Sequence, residues 1–500
     1  MGRDRLALSV LAATSAALLA VRLLAATRVG FGDSEALYAS YALFPQPCYL
    51  DHPGLVGQVA SLLGGGTAPS PLQAHLATAV LATAFPWVLA VACRAAGAPW
   101  PRAFAGALVA AVAPELAVGL FALTPDLLLA FTWTGALAMA ALGLRSPPES
   151  ARAPLALAGA GVLAGAAASS KVTGLALFAV LALTYASRHA GEHRRSLAPW
   201  AGLAAGALVL APVVLYERHM GWPMLRHRMV DTQVSAGLSL RNLGALVGGQ
   251  LVYLSPVVAW LAARAAREAW RGRGDAVGRL LWLAFVVPVA ALLPLCLWSR
   301  VAEPHWMAPA FLSLVVAATR AEAASLPSRR LVGWACAVGG VVVAAVHAWV
   351  LVPSSVLLAP ASYDPRLDLA NELYGWPEVV TAVREEAVAA SPVGPYDVGG
   401  ELSVVGPHWV ICAQLQAALR RELHVGCDTP ILDDFDVWWP RARWRASDVL
   451  VWVSDLRFGP PESPALRPYA PLRSREVRVE RAGRTVRTFT ITVLARRAQG

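Results

Sequence analysis

Eleven apolar stretches, each about 17–25 residues long, decide what this chain can fold into, because a helix of that length crosses the hydrocarbon core of a bilayer. They lie near 5–27, 72–96, 101–122, 125–144, 153–169, 171–187, 197–216, 243–263, 277–298, 306–323 and 331–352. The chain has 500 residues, 57% of them hydrophobic and only 15% charged, with a mean hydropathy of +0.53. A soluble core does not hide that much apolar surface, so the bilayer must be the solvent for much of it. The first stretch follows Arg3 and Arg5, as a signal peptide would, but it is long and lacks a small-residue cleavage site. It is expected to remain as an anchor.

The net charge of +10 would suggest nucleic acid in a soluble protein. Here the arginines fall in short loops between apolar stretches, so no nucleic-acid partner is expected. With a cytoplasmic N-terminus, the inner loops hold Arg102; Arg145 and Arg152; Arg188, Arg194 and Arg195; Arg267, Arg271 and Arg273; and Arg329 and Arg330. This is the positive-inside pattern. It places a long first loop at 28–71, a second loop at 217–242 and everything after about 353 outside the membrane.

The expected architecture is thus an α-helical polytopic membrane domain over 1–352, followed by a small extracytoplasmic α/β domain over 353–500. In that tail, Gly375-Trp376-Pro377 opens an amphipathic helical pattern running to about Ala390, and Val449–Val453 reads as a buried strand. The alternation from Glu476 to Leu494 around Ala482-Gly483 reads as a hairpin. Cys93, Cys296 and Cys336 lie in apolar stretches and are expected to pack, with Cys48 outside and without an obvious partner. Cys412 and Cys427 are expected to pair if the tail is exported. No zinc-ligand spacing, inverted repeat or Gly-rich phosphate loop on a Rossmann-like unit is present.

The outer segments gather nearly all the chemically interesting acids and histidines. Asp33 and Glu35 open the first loop, which later carries Asp51 and His52. Asp126 stands at the outer start of another stretch, after Thr124-Pro125. A carboxylate at any of these points serves as a general base, holds a cation, or simply caps a helix. Lys171 is the only lysine in the chain and follows Ser169-Ser170 at an outer helix end. Snorkelling would suit an arginine as well, and this chain uses arginine everywhere else, so the compact ammonium points to a phosphate oxygen or a tight carboxylate contact. The loop from Glu217 to Arg228 groups Arg226, His227 and Arg228 with Trp222, a cluster suited to a lipid carrier's phosphates or to anionic headgroups. Glu303 and His305 open the last outer helix start, beside Trp306.

In their order these residues resemble bacterial members of the dolichyl-phosphate-mannose protein mannosyltransferase superfamily, the GT-C glycosyltransferases of family 39 and of the aminoarabinose-transferase type. The matching segments run from the first loop to the tenth stretch. They are Asp33-Ser34-Glu35-Ala36, Tyr49-Leu50-Asp51-His52-Pro53-Gly54-Leu55, and Thr124-Pro125-Asp126 with Phe131 and Trp133. Further on come Ser170-Lys171-Val172-Thr173-Gly174, Gly249-Gln250-Leu251 with Leu254-Ser255-Pro256, and Pro304-His305-Trp306-Met307-Ala308-Pro309. Two departures stand out: Ser34 separates the acids that many relatives have adjacent, and Gly54 replaces the second proline of a His-Pro-Pro.

The resemblance implies a polyprenyl-phosphate-linked sugar donor and inverting displacement at the anomeric carbon. Asp33 or Glu35 would be the base and Asp126 a second acid in the same cavity. Asp51, His52, Lys171, Arg226, His227, Arg228, Glu303 and His305 would bind substrate. The acceptor would be a lipid, a glycan or a protein of the envelope, at the outer face of the inner membrane. A divalent cation could join if Asp33, Glu35, His52 and His305 converge. The competing classes are a multi-pass transporter and an envelope assembly protein without catalysis. A transporter would explain the spans but not the long acidic first loop or the large exported tail, and an assembly protein would explain the tail but not the acids at several outer helix ends.

Overall fold

The computed structural model describes residues 2–233, 236–299, 303–320, 329–358, 361–390, 401–459 and 463–497. The chain divides into two compact units. The first comprises Met1–Leu23, Pro47–Val56 and Leu76–Val346; the second comprises Leu24–Gln46, Gly57–His75 and His347–Gly500.

The apolar stretches are helices. Among the described residues, Arg5–Ala26, Pro71–Ala95, Pro125–Arg145, Arg152–Ser170, Ala198–His219, Ala276–Trp298 and Arg330–Leu351 are each long and apolar enough to cross a membrane. Three bent pairs raise the number of spans to as many as 10: Trp100–Ala111 with Pro114–Phe121 (76°), Val172–Ala186 with Arg188–Arg195 (90°), and Leu240–Leu254 with Pro256–Arg271 (105°). Two of the breaks have an evident cause. Pro114 and Pro256 have no N–H to continue the preceding helix, and Ser255 before the second sits at φ 71°. The expected stretch at 306–323 differs in length. A tight turn at Pro304–Met307 leads into a helix of only 12 residues, Ala308–Thr319. That is about 18 Å against a core of about 30 Å. Residues 321–323 of that stretch lie outside the described residues.

Glycines set the packing of the first unit. Within a bilayer, apolar side chains gain little from meeting each other, so helices associate where small residues let their backbones approach. A Cβ built on Gly161 would lie 2.0 Å from the carbonyl oxygen of Gly202, one on Gly165 2.2 Å from that of Gly206, and one on Gly206 2.1 Å from that of Gly161. The Arg152–Ser170 and Ala198–His219 helices therefore touch main chain to main chain and run in the same direction. Pro125–Arg145 packs the opposite way on the first of them, since Gly143 meets Leu157 while Gly135 meets Leu163.

The second unit contains a five-stranded sheet in the order β2-β1-β3-β5-β4, with β1 Leu402–Gly406, β2 His424–Cys427, β3 Val449–Asp455, β4 Tyr469–Arg481 and β5 Arg484–Arg496. The pairs β1–β2 and β1–β3 are parallel, and β5 is antiparallel to both β3 and β4. All seven residues of β3 are buried, as its apolar run predicts. The hairpin turns on Ala482 (φ 50°) and Gly483 (φ 71°), the two-residue geometry whose twist matches the flanking strands. The amphipathic pattern from Gly375 is the helix Trp376–Ala389. A second helix, Trp409–Leu419, is buried along nearly its whole length and packs against the helix Asp33–Tyr41 of the first loop. Ser40 donates to the carbonyl of Ala413 at 3.4 Å, and Gln414 donates to that of Phe31 at 2.8 Å. Cys412 and Cys427 form the expected disulfide, closing a separation of 15 residues.

The helix contact makes a prediction. Gly206→Ala forces a methyl to within 2.1 Å of the Gly161 oxygen and should destabilise the detergent-solubilised protein by about 1–3 kcal/mol in unfolding measurements. Gly248→Ala, whose methyl meets nothing within 4 Å, should leave stability unchanged. Equal stability of the two variants would refute the backbone contact.

Candidate functional site

The packing directions bring distant residues of the first unit to one end. Asp126 begins the Pro125–Arg145 helix and Lys171 follows the C-terminus of its antiparallel neighbour, so the two meet. Lys171 Nζ donates to Asp126 Oδ1 at 2.7 Å and to Oδ2 at 2.8 Å. The lysine side chain is 7% exposed, the aspartate 29%. His305 joins them, its Nε2 3.8 Å from Asp126 Oδ2 and its Nδ1 3.2 Å from Glu303 Oε2. The turn carrying His305 is seated by Gln250, which donates to the Pro304 carbonyl at 2.8 Å, and by Gly249, where a Cβ would lie 2.0 Å from Pro304 Cγ.

The Ala198–His219 helix runs parallel to Arg152–Ser170, so its C-terminus delivers the basic loop to the end where Lys171 lies. Glu217 shapes that loop by accepting the main-chain N–H groups of Met224 and Leu225 at 3.1 and 3.2 Å, which caps the short helix Pro223–Met229. Arg228 then reaches residues 47–56, donating from Nε to the Asp51 carbonyl at 3.1 Å and from its NH2 nitrogen to His52 Nε2 at 3.3 Å. That same nitrogen lies 3.2 Å from Asp51 Oδ1, with His227 Nε2 at 3.9 Å from the same oxygen. Arg226 does not join this group; it is exposed and pairs with Asp231 at 3.6 Å.

His52 ties the two groups together. It is buried, and burial with the positive charges of Arg228, Lys171 and His305 holds its pKa well below the ordinary 6.5. Arg228 and Lys171, with the imidazoles of His305 and the neutral His52, thus form one basic region in which Asp51, Asp126 and Glu303 are interleaved. Glu115 stands in no motif of the sequence, yet it lies within electrostatic reach of Asp126 and Lys171. Its Oε1 is buried with no partner among the described residues.

Asp33 and Glu35 belong to the second unit. Glu35 is committed locally: its Oε2 accepts the Gly32 N–H at 3.0 Å in a capping box, and its carboxylate faces His75 at 3.2 Å. Asp33 Oδ2 accepts from Arg457 at 3.3 Å, while Oδ1 is buried with no partner among the described residues. Among the described residues no three His, Cys, Asp or Glu side chains are gathered as a metal-ligand set.

The chain has the GT-C fold, as shown by its likeness to solved structures. It is similar to ArnT from Cupriavidus metallidurans bound to undecaprenyl phosphate, with 17% identity, 97% of each chain covered and a TM-score of 0.62. The apo form of that protein matches with 18% identity over 96% of this chain and 97% of that one, at a TM-score of 0.60. The apo oligosaccharyltransferase of Archaeoglobus fulgidus shares 15% identity over 90% of this chain and 69% of that one, at a TM-score of 0.51. No protein-family model matches the chain, and no curated protein matches it.

The depressed pKa of His52 gives a signed prediction. The folded protein keeps His52 neutral while the unfolded chain protonates near pH 6.5, so below that pH the unfolded state binds more protons. Stability is fully present above about pH 6.5 and falls as pH drops toward the folded pKa, by up to about 1.4 kcal/mol per pH unit for one group. Melting curves between pH 7 and 5 should show this slope, and His52→Gln should flatten it. An unchanged slope in the variant would mean that His52 is not held neutral.

Proposed function

We propose that this chain transfers a sugar from a polyprenyl-phosphate-linked donor to an acceptor of the cell envelope, a lipid, glycan or protein, on the outer face of the inner membrane. The observation that carries this reading is the convergence of Arg228, Lys171, His52 and His305 at the ends of apolar helices. Arg228 and Lys171 stand there beside carboxylates that leave further donor capacity on each, and a phosphate whose lipid tail lies in the bilayer presents an anion at that depth. The fold shared with a structure that holds undecaprenyl phosphate supports the same donor class. On this reading residues 1–352 are the catalytic membrane domain, the N-terminus is cytoplasmic, and 353–500 are extracytoplasmic, where a Cys412–Cys427 disulfide persists.

Chemically, Asp33 acts as general base. It removes the proton of the acceptor nucleophile as that atom attacks the anomeric carbon on the face opposite the phosphate. The carbon–oxygen bond to phosphate breaks as the new bond forms, and its electron pair leaves with the phosphate. Glu35, already engaged by Gly32 and His75, supports its own helix instead. Asp126 orients Lys171 by holding its ammonium with both oxygens.

Transfer of radiolabelled sugar from a polyprenyl-phosphate carrier by the purified full-length protein tests this. Asp33→Asn should lower turnover by about 10²–10⁴ while donor binding survives. Lys171→Arg keeps the charge but replaces the compact head, and should weaken donor binding. Normal turnover in both variants would overturn the reading. Reporter fusions test the orientation separately: after Arg195 they should read cytoplasmic and after Ala390 external, and the reverse result would remove the outer site.

A further inference from the structure

The second unit holds a charge cluster built on Asp33. Arg457 stands just after β3 and donates from one terminal nitrogen to both Asp33 Oδ2, at 3.3 Å, and Glu372 Oε1. Its Nε lies 3.5 Å from Asp455 Oδ2, and Arg487 of β5 closes on that same oxygen at 2.8 Å. Arg487 also donates to the main-chain carbonyl of Glu372 at 3.3 Å. Asp455 and Arg487 are buried, with side chains 2% and 7% exposed.

Three carboxylates therefore face two guanidinium groups, leaving the cluster one positive charge short. Among the described residues, the other titratable group facing it is His408, at the start of the Trp409–Leu419 helix and stacked on Phe458 at 3.9 Å. Burial and Arg457 lower its pKa against the opposing pull of Asp33 and Asp455, so it does not supply the missing charge. The negative excess falls on Asp33 and Glu372, which share one arginine nitrogen. Burial, and then the Asp33 carboxylate within hydrogen-bonding reach, push the Glu372 carboxyl above the usual range despite Arg457.

We propose that Glu372 and Arg457 are positioning residues for Asp33: Arg457 fixes its carboxylate through one oxygen, and Glu372 accepts the proton that Asp33 removes. The inference rests on Asp33 as the base of the proposed transfer. The acceptor's proton passes to Asp33 Oδ1 as the new bond to the anomeric carbon forms. It then moves across the carboxyl pair to Glu372, which restores the Asp33 carboxylate, and leaves from Glu372 to water. The unpartnered Oδ1 is the oxygen left for the acceptor.

The test is the pH dependence of sugar transfer by the full-length protein in lipid nanodiscs, with melting curves as the folding control. Glu372→Gln removes a neighbouring negative charge, so the acid limb of the turnover profile should move down by about one pH unit. Arg457→Gln removes the positive charge, so the limb should move up, and Arg457→Lys should return it to the wild-type position. Opposite shifts do not follow from loosened structure, which lowers turnover at every pH. Should Glu372→Gln fail to fold, the Arg457 pair carries the test alone. If wild type transfers sugar and Asp33→Asn does not, yet the limbs of the folded variants stay in place, this inference fails and the transferase reading stands. If wild type transfers no sugar, or Asp33→Asn transfers normally, the base assignment falls and the inference with it.

Discussion

The main-chain contact of Gly161 and Gly165 with Gly202 and Gly206 is the constraint on which the first unit depends. Hydrophobicity drives apolar segments into a bilayer but does not choose which of them touch; close approach does. Once Arg152–Ser170 and Ala198–His219 are locked side by side, and Pro125–Arg145 lies antiparallel on the first, the positions of their ends follow. Lys171 arrives beside Asp126, and the chain leaving His219 must turn at the same end. Charges that would be costly alone in a low-dielectric setting are then mutually compensated. A helix displaced by one methyl group at the glycine contact would shift the ends that carry the charges.

The second unit solves a different problem with ordinary soluble-protein means. Its parallel core strands β1, β2 and β3 are short and buried, and the antiparallel hairpin of β4 and β5 completes one side. The edge strand β4 carries Arg473, Arg475, Glu476, Arg478 and Glu480, mostly exposed, a charged edge that resists pairing with another chain. The same hairpin supplies Arg487, whose buried pairing with Asp455 holds the turn on which Arg457 stands. Stability of the sheet and placement of the Asp33 partner are therefore one arrangement.

Much of this was legible in the residues. Apolar length marked the helices because the bilayer imposes a minimum span, and the hairpin showed itself through alternation around Ala482-Gly483. Lys171 stood out because its type was unique in the chain, and it does take a tight carboxylate contact. The 306–323 stretch misled because composition reports apolarity, whereas Pro304-His305-Trp306-Met307 forms a turn that shortens the helix. The paired Gly-xxx-Gly spacings are visible, but among 40 glycines they do not stand out. β1 and β2, of five and four residues, are too short for their period to register. Glu372 and Arg457 gave no signal at all: each reads as one more solvated charge, and Arg457 lies 424 residues from Asp33.

The packing of Asp33–Tyr41 on Trp409–Leu419 also sets a timetable for making the protein. Every residue from Glu35 to Tyr41 is buried, yet the contact between Ser40 and Ala413 spans 373 residues. At about 5–20 residues per second of synthesis, that helix waits tens of seconds for its partner. During that interval its aromatic side chains lie open to any passing chain or chaperone. An element made hundreds of residues ahead of its partner is among the last to find its place.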